Sequence, residues 1–190
     1  MQLAHFSDDP NIGLFEPRPV RVAVDRPVGQ DWLNGPLVWA IDQPHRILYL
    51  FPRECPRIVV WPTPETTEED RLTWMGETCA QAVAYVESSW MDRLKRAVIH
   101  RYAMPPDGFE DTREIGMWAS RSAVRPSGVE ALANLPAQLA EHDVELRPLE
   151  RLTSLRPIWN STLHASGVRL RNAVGWGEPG WPHSVPAGGA

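Results

Sequence analysis

Tyr49-Leu50-Phe51-Pro52-Arg53-Glu54-Cys55-Pro56-Arg57 sets two arginines, a carboxylate and a thiol around two prolines. Proline fixes φ and removes a backbone donor, so this run continues neither a helix interior nor a central strand. It joins two apolar runs, Pro36-Leu37-Val38-Trp39-Ala40-Ile41-Asp42 before it and Ile58-Val59-Val60-Trp61 after it, which read as buried strands. A stiff charged connection pinned between strands, with helical patterns elsewhere in the chain, predicts an α+β fold: a compact mixed-sheet domain with flanking helices.

Working outward, Gln2–Phe6 reads as a strand and Ser7–Asn11 as a polar turn, and residues 16–36, rich in Pro and Gly, as a long irregular loop. Pro44–Phe51 predicts one or two helical turns and Arg57–Trp61 a strand, with Thr63–Asp70 as a surface connection. Ala82–Val86 and Val98–Tyr102 are strand patterns on either side of a helix at 90–96, with Ser88 and Ser89 available as caps. Ile115–Ser120 predicts a further strand, Ala131–His142 an amphipathic helix interrupted near Pro136, Val144–Leu146 a short strand and Leu155–His164 a helix around Pro157. The expected organisation is one globular domain over 1–174 and a flexible Gly/Pro/Ala-rich tail over 175–190.

Composition narrows the function. A net charge of −5 gives no direct support for nucleic acid as the main partner, because that affinity rests on clustered cations. No apolar run reaches bilayer length and the start lacks a secretion-signal pattern, so a cytoplasmic protein without a membrane partner is expected. Two cysteines fit free thiols in a reducing compartment, and no zinc-type spacing appears, so no metal is expected. Nine tryptophans are the outlier. Each buried indole needs a partner for its N–H, which predicts that some line a cleft.

Arg53 and Arg57 are candidate anion-binding residues, since guanidinium offers paired donors to phosphate; an ion pair with Glu54 or Asp42 is the structural alternative. In an extended segment Cys55 lies on the same side as both arginines, a setting that favours a thiolate, although packed cysteines are usually inert.

His5-Phe6-Ser7, Val38–Asp42, Tyr49–Arg57, Trp118-Ala119-Ser120 and Ser166–Asn172 together resemble a bacterial protein family of unknown function over residues 3–173. More remotely, His5-Phe6-Ser7 resembles the opening of the ADP-ribosyltransferase-like fold, in which a first-strand histidine and a hydroxyl residue begin a nicotinamide-nucleotide site. That likeness implies an NAD-like ligand, with His5 and Ser7 orienting ribose, Trp39, Tyr49 or Trp118 packing on the base, and Arg53 and Arg57 near phosphate. It also implies His5 and Ser120 as catalytic candidates for transfer or hydrolysis at an N-glycosidic bond. Ser120 stands where many such transferases carry glutamate. A small nucleotide-like molecule is thus the expected partner; the alternative is a non-enzymatic protein-interaction module with a tryptophan-rich surface.

Overall fold

The computed structural model describes residues 1–20, 23 and 25–177. Of the expected tail, residues 178–190 lie outside the described residues. In chain order the strands are β1 (Leu3–Ser7), β2 (Val38–Asp42), β3 (Arg57–Trp61), β4 (Ala82–Glu87), β5 (Ile99–Met104), β6 (Glu110–Asp111), β7 (Met117–Ser120), β8 (Gly128–Leu132), β9 (Val144–Leu149) and β10 (His164–Val168). The α-helices are α1 (Glu68–Met75), α2 (Met91–Arg96) and α3 (Leu135–Glu141), with 3-10 turns at Asp31–Asn34, Arg46–Tyr49 and Leu152–Asn160 among others. The expected α+β class is what is observed. None of the helices is long and apolar enough to cross a membrane among the described residues.

The strands form two sheets and the chain two compact units. The first unit, Met1–Tyr49 with Val98–Leu132, holds an antiparallel sheet in the order β6-β7-β2-β1-β5-β8. One face of it is covered by Phe15, brought there by a two-way backbone bridge to Val124, and packs Leu3, Val38, Ala40, Tyr102 and Met104. The opposite face carries Ala119 and Trp39 against Leu33, Leu37 and Trp32. Residues 21, 22 and 24 of the expected loop 16–36 lie outside the described residues; of the rest, Trp32 and Leu33 pack on the sheet and Arg18 exchanges backbone hydrogen bonds with Leu37.

The second unit, Leu50–Ala97 with Ala133–Ala190, holds the sheet β10-β3-β4-β9, in which only β4 and β9 run parallel. β4 is buried at all six positions, as a central strand covered on both faces must be. Ile58, Val60, Val83 and Tyr85 share one face and pack on Leu152, Leu155 and Ile158 of the long 3-10 run.

Helix boundaries differ from the expectations where a single residue decides them. α1 begins inside the segment expected to be a surface connection, because the Thr67 side chain accepts the Asp70 N–H and three acids fill the first turn. Pro136 starts α3 instead of interrupting it, since a first-turn residue has no intrahelical use for an N–H. Ala131 and Leu132 end β8. α2 has no side-chain cap, and Ser88 forms part of a preceding 3-10 turn. Around Pro157 the chain is 3-10 over Leu152–Asn160, and His164 already belongs to β10.

Candidate functional site

The centre of the first sheet is only partly zipped. β1 pairs with β5 along all five of its residues, Leu3↔Met104 to Ser7↔His100, and β2 pairs with β7 from Val38↔Ser120 to Ile41↔Met117. Between β1 and β2, however, pairing covers only Leu3↔Asp42 and Ala4↔Ile41. Beyond these two pairs the seam opens, and main-chain groups that a continuous ladder would use need other partners. One is visible: His5 Nδ1 lies 2.8 Å from the Trp39 carbonyl oxygen. A carbonyl only accepts, so Nδ1 carries the proton, and in the neutral ring Nε2 carries the lone pair. The imidazole also leans on the Phe15 ring, with centroids 4.7 Å apart.

At this parting lies a half-open, mainly apolar hollow of about 50 Å³. Phe6, Trp39, Tyr49 and Met117 wall it, and Ala4, His5, Ala40 and Ile41 complete the lining. Tyr49 is delivered by the 3-10 turn Arg46–Tyr49; its ring is nearly parallel to that of Phe6, at 6.2 Å and 13°, and its hydroxyl lies 3.5 Å from Met117 Sδ. At about 10–15 Å³ per held water, the hollow has room for roughly four waters. It is well below the few hundred Å³ of a site that encloses a whole drug-sized ligand.

Of the residues singled out from the sequence, His5, Trp39 and Tyr49 line the hollow. Strand alternation separates the remaining candidates of this unit. Cross-strand partners share a face, so Ala4, Ile41 and Met117 lie on one face with Phe6 and Trp39, whereas Ser7, Trp118 and Ser120 belong to the face of His5, Ala40 and Val38. Trp118 packs with the Phe15 cluster. Ser120 is buried and closes a local turn, its Oγ accepting from Ser122 N–H at 3.2 Å and donating to Ser122 O at 3.3 Å. At about 3.3 Å per residue it stands roughly 10 Å along β7 from Met117. Ser7 is buried and accepts the Asp9 N–H at 3.1 Å.

The two arginines of the proline-bracketed run belong to the second unit. Arg57 is only 2 % exposed; its guanidinium donates to the Cys55 carbonyl at 3.0 Å and covers the Phe51 ring at 4.9 Å. Arg53 is exposed, and its carbonyl accepts from Arg169 Nε. Glu54 receives Arg171 and Asn172, so the carboxylate of this run ties it to the turn after β10. Cys55 is fully buried, and burial pushes its thiol up to about 12 despite the nearby Arg57 and Arg93 guanidiniums, which favour the thiolate. It is a packed thiol, not a nucleophile at neutral pH.

One pair was not singled out from sequence. Asp42 Oδ1 accepts both the His45 N–H, at 3.1 Å, and His45 Nδ1, at 2.7 Å, and the imidazole lies against Gly116. The available signal is the Asp-x-x-His spacing just after a strand, where an Asx turn is favoured. The acids flanking β7 are engaged: Glu114 pairs with Arg26, Glu130 with Arg101 and Glu110 with Arg121. Among the described residues, no three His, Cys, Asp or Glu side chains are grouped as a metal site requires.

The model of DUF6886, a family of unknown function, matches residues 4–173. The chain belongs to that family. The match covers residues of both units, including the opening histidine strand and the proline-bracketed run. No curated protein and no solved structure matches the chain.

Proposed function

We propose that this DUF6886 chain binds a nucleotide-like molecule by its flat ring, of nicotinamide or nucleobase size, in the parting between β1 and β2. The observation that carries this reading is the opened seam itself, bridged by the His5 imidazole and walled by Phe6, Trp39, Tyr49 and Met117. Aromatic faces supply stacking area, and a sheet seam supplies main-chain donors and acceptors at its edge, the combination that distinguishes a heterocycle from a plain hydrocarbon. On this reading the hollow of about 50 Å³ holds the ring alone, and the sugar and phosphates of NAD or a mononucleotide extend beyond it.

Transfer or hydrolysis at the N-glycosidic bond is the reaction the remote likeness suggests. The ion-paired state of Glu110, Glu114 and Glu130 and the local commitment of Ser120 favour binding as the primary activity. A tryptophan-rich docking surface has less support: all eight described tryptophans are half-buried or buried.

Calorimetric titration with nicotinamide, adenine, NAD and ADP-ribose tests the proposal. A ring of this size, held by one slot, is expected to bind with Kd on the order of 0.1–1 mM. Trp39→Ala and His5→Ala should each weaken binding at least several-fold while the unfolding transition stays cooperative. Failure of every ring to bind, or equal binding by both variants, removes the slot from consideration.

A further inference from the structure

On the face of the first sheet that carries the slot, two arginines stand beside its aromatic wall. Arg101 on β5 is the direct cross-strand partner of Phe6, and Glu130 on β8 is the partner of Arg101. Cross-strand partners share a face and neighbouring strands lie about 4.7–4.9 Å apart, so Phe6, Arg101 and Glu130 form one row leading away from the slot. Arg46 arrives on the 3-10 turn that ends at Tyr49. Side chains at i and i+3 of a 3-10 helix eclipse, so Arg46 projects on the same side of the turn as Tyr49, the side that meets Phe6. Its guanidinium is held below the usual arginine value, first by partial burial and then by the charge of Arg101, while Glu130 acts in the opposite direction. Charges that meet solvent influence one another only within roughly 10 Å, a Debye length, so the three side chains form one charged group. It holds two cations and one acid: Glu130 pairs with Arg101, and among the described residues Arg46 has no carboxylate partner. Both arginines are half-buried, so each is steadied by packing and still meets solvent.

We infer that Arg46 and Arg101 form a phosphate-binding subsite beside the slot, taking the phosphate of a nucleotide whose ring lies against Phe6 and Tyr49. The surplus positive charge attracts an anion, and guanidinium offers phosphate paired, charge-assisted donors. The phosphate lies outside the hollow and needs no enclosure, only two guanidiniums that meet solvent on the face where the ring is held. Phe6 and Tyr49 are at once walls of the slot and the neighbours of the two arginines, one across the ladder and one along the turn, and all four belong to the first unit. Glu130 is the internal competitor for Arg101, so the phosphate displaces or shares that pair. The subsite rests on the ring-binding reading and adds to it the ligand's phosphate and the two residues that take it.

Calorimetry of adenosine against AMP, and of nicotinamide riboside against nicotinamide mononucleotide, tests the subsite, since each pair differs only by the phosphate. In the wild-type chain at least one mononucleotide is expected to bind about tenfold more tightly than its nucleoside, as one charge-assisted hydrogen bond provides. That ratio should fall as sodium chloride is raised, because the guanidiniums meet solvent. Arg46→Gln and Arg101→Gln should each bring the ratio toward one, and Arg46→Lys, which keeps the charge, should retain part of it. Glu130→Gln should raise the ratio by removing the competing acid. Nucleoside binding without a phosphate increment overturns the subsite and leaves the slot standing. An increment that survives both glutamine variants of the arginines, or that shrinks in Glu130→Gln, also overturns it. Inorganic phosphate that binds as tightly as the mononucleotides breaks the link to the ring and overturns the inference. Failure of rings, nucleosides and mononucleotides alike to bind removes slot and subsite together. Thermal unfolding of each variant separates loss of the fold from loss of the contact.

Discussion

At the scale of single residues, burial decides which of the reactive-looking side chains react. Cys55 and Cys79 are both free thiols, but the first is buried and the second exposed. With its thiol held up to about 12, Cys55 is almost wholly protonated at pH 8 and sterically covered. Iodoacetamide at pH 8 is therefore expected to modify one thiol per native chain, Cys79, and both after unfolding in urea; intact-mass and peptide mass spectrometry read this directly. Rapid native labelling of Cys55 is the contrary result. A second residue-level consequence concerns Gly116, whose φ of +71° is a region side chains seldom adopt. An added Cβ would sit 2.5 Å from His45 Nδ1. Gly116→Ala is thus expected to cost about 2–4 kcal/mol in urea denaturation and to disturb the Asp42–His45 pair. A loss of under about 0.5 kcal/mol would show that the turn and imidazole move aside without strain.

At the scale of elements, α1 shows what local chemistry fixes. Thr67 caps the helix, and Asp70 turns outward to accept both the Thr162 backbone N–H and its hydroxyl, each at 2.7 Å. Thr67→Ala is expected to lower stability by about 1 kcal/mol in chemical denaturation. The Asp70 carboxyl lies below the usual carboxylate range, first through the Thr162 hydroxyl and then through the Thr162 N–H. Its folded value is depressed, so its contribution is present above the unfolded value of about 3.9 and disappears as pH falls through the folded value. Asp70→Asn should therefore destabilise the chain at pH 7 and have a smaller effect near pH 2, as urea titrations at the two pH values would show; an equal effect at both contradicts the linkage. Thr67 and Asp70 touch, so their substitutions should not add. The same comparison explains what was legible in the sequence. Strand patterns such as Val38–Ile41 and Arg57–Trp61 carry their period within a few residues, and they hold their places. α1 was hidden because its acids resemble a solvated loop until Thr67 is recognised as a cap. His5, Trp39 and Tyr49 were legible as a histidine strand and two aromatics, but the open seam that unites them depends on where two ladders stop. The Phe6–Arg101 juxtaposition depends on register between distant strands, which no local pattern encodes.

At the scale of the molecule, connectivity sets what can fold alone. Each compact unit is assembled from two separated stretches, with changes of unit after Tyr49, Ala97 and Leu132. A fragment ending at residue 97 carries β1 and β2 of the first sheet and β3 and β4 of the second. It lacks β5 and β7, the partners of β1 and β2, and also β9 and β10, which flank β4 and β3. Two open edges on each remnant leave backbone groups unpaired and apolar faces uncovered, a state prone to association. The 1–97 fragment is expected to show poor amide dispersion by NMR and no cooperative urea transition, and the 98–190 fragment to behave likewise. Mixing the two should recover a cooperative transition, because every missing ladder partner is then supplied in trans. The match to DUF6886 over 4–173 likewise covers stretches of both units. A well-dispersed, cooperatively unfolding 1–97 fragment would mean that β1–β4 can close a core without those partners, and the seam between β1 and β2 would then have to be a feature of the isolated strands themselves.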